Sequence, residues 1–160
     1  MNDDEYIRAV RLFYNDIKKV AYVYLKNSFD AEDITQNVFI KLNTYTKDFR
    51  DDEHLKKWLV KVAVNECRSL WRSPWKKRVK LDIPEHLTDK KAKDGTTGSV
   101  LEAILRLNKT QRQIIHLIYY ENLSAKDVGE IMGMSENAVF KAAQRARDKV
   151  RVFLKEKGIN

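Results

Sequence analysis

The side chains best suited to bind a ligand lie near the C-terminus, where amide and basic residues recur at helical spacing. Lys141, Gln144 and Arg145 can donate hydrogen bonds to DNA base edges or phosphates. Ser135 precedes them, as a helix-capping serine does. In a helix that enters the major groove, N-terminal residues reach the base edges. The predicted contacts to duplex DNA are Ser135, Glu136, Asn137, Phe140, Lys141, Gln144, Arg145 and Arg147.

A helix-turn-helix over about residues 123–147 would position these side chains. Gly133 suits the turn, where one residue takes a positive φ, and Gly129 suits the close crossing of the two helices. An ordinary helical hairpin with a glycine turn is the alternative interpretation. Such a hairpin would not require a small residue, a turn glycine and apolar residues each to fall at the position that a helix-turn-helix needs. The segment therefore favours DNA binding. The apolar residues expected to fix the crossing are Val128, Met132, Met134, Val139 and Ala142.

The sequence shows no spacing typical of a catalytic or metal site. His54, His86 and His116 are far apart, and Cys67 is the only cysteine, so neither a zinc site nor an intrachain disulfide is predicted. Glycine-rich phosphate loops and nucleophile elbows are absent from the sequence. We therefore expect no enzymatic activity, no metal and no cofactor, and a helical nuclease has little support.

The composition predicts an all-α protein. Of the 160 residues, 43% are hydrophobic and 34% charged, with only 2 prolines and 5 glycines, and no segment alternates with the period of two that is typical of strands. The net charge of +8 fits a nucleic-acid partner. Because residues 1–73 hold 13 basic and 12 acidic residues, most of the excess positive charge lies in residues 74–160. The N-terminal part must therefore do more than bind phosphate.

Residues 1–73 are predicted to form three helices. Asp3 or Asp4 would cap the first helix and Asp30 the second, and the third would run from about His54 to Arg72. Within the third helix, Trp58 is expected in the core rather than on a stacking surface. The first helix is predicted from one apolar face, formed by Ile7, Val10, Tyr14, Ile17, Ala21 and Tyr24.

Residues 74–98 hold both prolines and clustered lysines without apolar periodicity, which is typical of a flexible linker. Helices are expected to resume near Val100, and Asn108 with Gln111 forms a capping box for the next one. The sequence thus predicts two small helical domains, residues 1–73 and 99–160, the second containing the helix-turn-helix.

The sequence predicts a cytoplasmic location without membrane insertion. The N-terminus is acidic and lacks the apolar stretch of a secretory signal. No apolar run approaches the ~20 residues that span a bilayer. A single cysteine fits a reducing compartment.

Two blocks of the chain resemble the sigma factors of bacterial RNA polymerase. Residues 30–42 (DAEDITQNVFIKL) are similar to the family's second region, and residues 58–65 (WLVKVAVN) to the promoter-melting segment that follows. Residues 107–147 resemble the fourth region, with Arg112 and the run Arg145-Ala146-Arg147 in matching places. Both blocks lie in family order with no third region between them, as in the extracytoplasmic-function (ECF) class.

The resemblance implies a role for each block. The helix of residues 30–42 would bind the clamp helices of the largest subunit of core RNA polymerase. The loop and helix that follow would read the minus-10 promoter element as single-stranded DNA, and the C-terminal helix would read the minus-35 element as duplex. An anti-sigma factor is a further partner in the family, although no residue here identifies one. The implied polymerase contacts are Asp33, Gln36, Asn37 and Ile40, and the implied minus-10 contacts are Phe49, Lys57, Lys61, Asn65, Arg68 and Arg72.

Some positions depart from the family pattern. Asn37 replaces a usual glutamate, and Val64 stands where a basic residue usually precedes Asn65. In the C-terminal helix, Phe140 and Ala142 replace a usual lysine and arginine. The alternative is a helix-turn-helix regulator with an unrelated helical sensor or dimerisation domain, which would bind duplex DNA without contacting the polymerase.

Overall fold

The computed structural model describes residues 1–72 and 96–158 and is helical, with no strand in these two ranges. The chain divides into two compact units; in the ranges just given, the first contains three α-helices and the second contains four α-helices and one π-helical segment. The all-α prediction is confirmed. The predicted linker is residues 74–98, and residues 74–95 of it lie outside the described residues. The domain boundaries on either side of the linker therefore stay a prediction.

The first unit packs three helices around one core: α1 (Asp3–Leu25), α2 (Ser28–Thr44) and α3 (Asp52–Trp71). Asn2 caps α1, accepting from the Glu5 N–H at 2.8 Å while the Glu5 carboxylate accepts from the Asn2 N–H. The prediction that Asp3 or Asp4 caps this helix is therefore wrong. Those residues lie in its first turn, where negative charge suits the helix dipole.

The buried face of α1 differs from the predicted one at its N-terminal end. Ile7 is 48% exposed, whereas Ala9 and Phe13 are buried in line with Ile17. The stripe therefore begins at Ala9. The sequence pattern passed over this alanine because Ile7 and Val10 also fall at helical spacing from Tyr14.

Helix α2 begins earlier than predicted. Asn27 is its cap, accepting from the Asp30 N–H at 3.1 Å, so the prediction of Asp30 as the cap is wrong. Lys26 takes a left-handed conformation (φ 54°) and lets the chain turn within two residues between α1 and α2. The sequence analysis did not reveal this short connection, since residues 27–30 break the apolar periodicity between the two helices.

Glu32 joins α2 to α1. Its carboxylate accepts a hydrogen bond from the Tyr14 hydroxyl and lies 3.0 Å from the Lys18 ammonium. Together these two partners hold the pKa of Glu32 below its usual value. Burial and the Glu32 carboxylate raise the pKa of Tyr14 to about 12. The Gln36 amide lies 3.5 Å from the same carboxylate, so this network reaches the outer face of α2.

Helix α3 is capped by Asp51, which accepts from the His54 N–H at 2.8 Å. Arg8 and Asp52 form an ion pair between α1 and α3, and Lys41 pairs with Glu66 between α2 and α3. All four partners lie at the surface or half-buried, so these pairs contribute little beside the core. The core residues of α3 are Leu55, Leu59, Val60, Ala63, Val64 and Cys67.

The second unit contains α4 (Thr96–Arg106), α5 (Lys109–Ile115), α6 (Ala125–Met132) and α7 (Glu136–Glu156). The predicted capping box of Asn108 and Gln111 is confirmed at the start of α5. Helix α4 begins four residues before Val100, where helical structure was expected to resume. Between α5 and α6 lies a π-helical segment, His116–Tyr120, that the sequence analysis did not predict.

The π-helical segment places polar residues inside the unit and tyrosines outside. The His116 ring and the Glu121 carboxylate are both buried, with Nε2 and Oε1 3.3 Å apart. Tyr119 and Tyr120 are 50% and 57% exposed. A π turn holds one residue more than an α turn, and it therefore changes which side chains face the core.

The helix-turn-helix has the predicted turn chemistry. Gly133 ends α6 with φ 69°, and Ser135 caps α7 by accepting from the Ala138 N–H at 3.0 Å. Gly129 is the closest crossing point, since a Cβ placed there would lie 2.6 Å from the Met134 carbonyl oxygen. Of the residues expected at the crossing, Val128, Met132 and Val139 are buried, and Met134 and Ala142 are half-buried.

We predict that Gly129→Ala destabilises the second unit. Its Cβ requires the Met134 backbone to move, and such overpacking costs about 1–3 kcal/mol. Thermal unfolding of the full chain, followed by circular dichroism, measures the effect. Gly98→Ala is the matched control, because nothing lies within 4 Å of a Cβ there and alanine favours a helix. Equal melting curves for the two variants would contradict the crossing constraint.

We also predict that Glu32→Gln destabilises the first unit in a pH-dependent way. The folded state lowers the pKa of Glu32, so its carboxylate contributes stability above the unfolded pKa of about 4.3 and loses that contribution as the pH falls. The side chain is 35% exposed, and we expect less than about 1 kcal/mol at pH 7. Urea unfolding followed by tryptophan fluorescence should show the difference from wild type shrinking below about pH 4.

The control for this comparison is Asp48→Asn, which removes an exposed carboxylate from the loop after α2 in the same unit. Its urea midpoint at neutral pH should match that of wild type. A difference between Glu32→Gln and wild type that stays constant from pH 7 to pH 3 would show that the Glu32 charge is not what joins α1 to α2.

Candidate nucleic-acid and protein interfaces

The outward face of α7 collects all of the side chains predicted to contact duplex DNA. The opposite face is buried through Val139, Ala143 and Ala146, so the orientation of the helix is fixed by its core side. All eight predicted residues are exposed, and their contact with DNA stays a prediction. These eight residues are Ser135, Glu136, Asn137, Phe140, Lys141, Gln144, Arg145 and Arg147.

Arg147 is held in place by the π-helical segment. Its guanidinium donates a hydrogen bond to the Tyr119 hydroxyl at 2.6 Å. Both side chains are exposed, so the pair can still meet a phosphate from solvent. Sequence analysis missed Tyr119, because nothing in the apolar periodicity indicates a π turn.

An aromatic cluster forms beside the start of α3. The Phe49 ring stacks on Tyr45 with centroids 5.3 Å apart and meets Trp58 edge to face at 5.6 Å and His54 at 5.3 Å. The loop after α2 folds over α3, and this brings Phe49 to Trp58. The expectation that Trp58 is a core residue is therefore wrong, since it is half-buried within a surface cluster. Tyr45 and His54 are members that the sequence analysis missed.

Four basic residues and one asparagine form a stripe along α3 and its C-cap, beginning near this cluster. Their spacing of four, four, three and four residues keeps the five side chains on one side of the helix. Lys57 also pairs with Glu53 at 3.2 Å, and the Arg72 guanidinium donates to the Arg68 carbonyl at 3.3 Å. Lys61, Asn65 and Arg72 are exposed, whereas Lys57 and Arg68 are half-buried; the stripe is Lys57, Lys61, Asn65, Arg68 and Arg72.

Val64 is fully buried between the stripe and the core. The departure from the family pattern at this position is therefore a core substitution. Asn65, the next residue, is exposed and supplies the amide of the stripe.

The outer face of α2 carries the predicted protein contacts. Asp33, Gln36, Asn37 and Ile40 are all exposed, and Ile40 shows 60% of its surface. The other side of the helix packs into the core through Ile34, Val38 and Leu42, which are buried. Phe29, one turn before Asp33, is 76% exposed and extends the face; the sequence analysis missed it because that helix was expected to begin later.

The described residues contain neither a clustered metal site nor a helix suited to cross a membrane. Within residues 1–72 and 96–158, no three histidine, cysteine, aspartate or glutamate side chains come together as a metal site. In the same ranges, no helix combines the length and the apolar character that crossing a bilayer requires.

Comparison with known families identifies both units. Residues 9–77 match the family described as Sigma-70 region 2, and residues 97–150 match Sigma-70, region 4. The two matches follow the order expected from the sequence. The first removes the basis of the alternative, which required an unrelated N-terminal domain.

Curated relatives match along most of their length. RNA polymerase sigma factor SigV from Bacillus subtilis is 29% identical over 91% of this chain and 88% of its own. ECF RNA polymerase sigma factor SigM from Mycobacterium tuberculosis is 25% identical over 90% of this chain and 74% of its own.

Two solved structures share the fold. The sigma factor RpoE from Bartonella quintana, solved with the anti-sigma factor NepR, gives a TM-score of 0.68 at 19% identity and covers 94% of this chain and 97% of its own. CnrH, solved with the cytosolic domain of CnrY, gives 0.70 at 20% identity over 97% of this chain and 90% of its own. From the two family matches, the relatives and the helix-turn-helix geometry, we conclude that the chain belongs to the sigma-70 family of RNA polymerase sigma factors and to its ECF class.

Proposed function

We propose that this protein binds core RNA polymerase and directs it to specific promoters, where transcription begins. The observation that carries the proposal is the presence of both Sigma-70 regions in one chain, in order. The chemistry of transcription belongs to the polymerase, and the sigma factor itself catalyses nothing. We place it in the cytoplasm, where the polymerase and the chromosome meet.

Promoter duplex DNA is read by α7 at the minus-35 element. The helix is capped at Ser135 and exposes polar side chains along its first turns, as a recognition helix in the major groove requires. Lys141 and Arg145 suit guanine, and Gln144 suits adenine. Arg147, tethered to Tyr119, suits a phosphate and would set the register of the helix on the duplex.

The minus-10 element is read as single-stranded DNA by the first unit. Single strands need cations that track the backbone and aromatic surfaces on which unstacked bases can lie. The stripe on α3 supplies Lys61 and Arg72, and the cluster around Phe49 lies at the N-terminal end of the same helix. Asn65 is two turns beyond Trp58 and on the same side, where its amide can hydrogen-bond to an exposed base.

Core polymerase binds the outer face of α2, through the clamp helices of its largest subunit. This face combines Asp33, two amides and the exposed Ile40, a mixture that suits a protein surface better than phosphate. An anti-sigma factor is a second protein partner. Its support is the likeness in fold to RpoE and CnrH, each of which was solved with a second protein bound.

Run-off transcription tests this function. Purified core polymerase with this protein should form a stable complex and give a promoter-dependent transcript that core polymerase alone does not give. The template is drawn from genomic fragments selected by the complex. A protein that binds duplex DNA but neither joins core polymerase nor supports a transcript would overturn the proposal.

We predict that Asp33→Lys and Gln36→Ala weaken the binding of core polymerase. Both residues lie on the exposed face of α2, and reversal of an interfacial charge places it beside a partner surface of the same sign. We expect about a tenfold or larger loss for Asp33→Lys, with Asp33→Asn in between. The measurement is an equilibrium titration of labelled full-length protein with core polymerase.

The matched control is Asn15→Ala, which removes an exposed amide from α1 in the same unit. Its affinity for core polymerase should equal that of wild type. Unchanged affinity in both Asp33→Lys and Gln36→Ala would remove α2 from the polymerase interface.

A further inference from the structure

Phe140 is a large apolar side chain on the polar face of α7. It is 57% exposed, whereas Val139, Ala143 and Ala146 of the same helix are buried. In the described part of the chain, no ring stacking and no cation–π contact involves its ring. Single exposed apolar residues are common on protein surfaces, and the exposure alone assigns nothing. Its position on the helix is what makes it informative.

Phe140 lies in the second turn of α7, on one line with polar residues. Glu136 is four residues before it, Gln144 four residues after it, and Arg147 seven residues after it. Residues at these spacings are neighbours on one side of a helix. Arg147 is fixed at the end of this line by its hydrogen bond to Tyr119. The Phe140 ring thus stands among the side chains that meet the base edges when α7 enters the major groove.

The chemistry of a phenyl ring restricts what it can recognise there. It has neither donor nor acceptor, so it cannot read the polar edges of guanine, cytosine or adenine. The C5-methyl group of thymine is the apolar feature of the major groove. Contact between the ring and that methyl group removes apolar surface of both from water.

Gln144, which lies one turn after Phe140, is suited to recognise the same base pair. An A·T pair presents the N6 and N7 atoms of adenine beside the thymine methyl, and a glutamine can bind that adenine with two hydrogen bonds. Gln144 lies one turn from Phe140 and is exposed on the same side. Because residues four apart are about 5–6 Å apart on a helix surface, both can reach one A·T pair or two adjacent pairs.

We propose that Phe140 selects thymine at one position of the minus-35 element by contacting its C5-methyl group. This inference rests on the proposed function, in which α7 reads that element as duplex DNA. It makes an A·T pair part of the promoter specificity, through a contact that carries no hydrogen bond.

The test uses 2′-deoxyuridine, which differs from thymidine only by the missing methyl group. The complex of core polymerase with the full-length protein first selects its preferred minus-35 sequence from a randomised promoter. Each thymidine of that element is then replaced, one at a time, by deoxyuridine. At one position, wild type should bind about three- to fivefold more weakly, the effect of one buried methyl group.

The variant Phe140→Ala should bind the thymidine and deoxyuridine promoters equally, whereas Phe140→Leu should keep part of the difference because it keeps an apolar side chain. Lys141→Ala is the matched control from the adjacent position of the same exposed face. It should weaken binding of the matched thymidine and deoxyuridine promoters by the same factor, and so retain the thymidine preference.

Three results would overturn the inference: equal binding of thymidine and deoxyuridine at every position, a thymidine preference that survives in Phe140→Ala, or a loss in Phe140→Ala that is the same for all sequences. The last would indicate a contact of the ring with the sugar-phosphate backbone. Failure of the proposed function is separate, since it would appear as no stable complex with core polymerase and no transcript.

Discussion

The close approach of Gly129 to the Met134 backbone fixes how α6 and α7 cross. A Cβ at residue 129 would lie 2.6 Å from the Met134 carbonyl oxygen, closer than Cβ atoms approach other heavy atoms in proteins. The same two residues are joined by a backbone hydrogen bond, in which the Met134 N–H donates to the Gly129 carbonyl at 2.9 Å. With the crossing set there, Val139 and Ala146 must face the core. The polar side of α7 is exposed as a consequence.

The first unit uses a comparable division between faces. Each of its helices buries one side and exposes the other. In α2 the connection to α1 is electrostatic as well as apolar, since Glu32 binds both Tyr14 and Lys18. In α3 the core reaches close to the functional stripe, with Val64 fully buried directly before the exposed Asn65. Exposed side chains of the stripe can therefore occupy only those helix positions that the core does not use.

Local chemistry made part of this structure predictable from sequence. Gly133, Ser135 and the Asn108–Gln111 pair act through backbone groups a few residues away, and all behave as expected. The exposed face of α7 was predictable for the same reason, because its periodicity is local. The Trp58 ring was misplaced because its position depends on contact with Phe49 from the loop after α2. The Asn27 cap is local but was missed, because Asp30, three residues later, is also a residue type that caps helices. Periodicity finds a helix, but it does not show which loop folds over it.

The π-helical segment shows how a local irregularity can serve the distant face of α7. Here the buried pair of His116 and Glu121 stays inside while Tyr119 and Tyr120 turn outward. In a regular α-helix the same sequence would change register after Ile115, and Tyr119 would face elsewhere. Because Tyr119 accepts the hydrogen bond of Arg147, the orientation of a cation on α7 depends on a turn that contains no DNA-contacting residue. The surface that we propose to meet the promoter is thus determined by the packing beneath it as much as by the residues it displays.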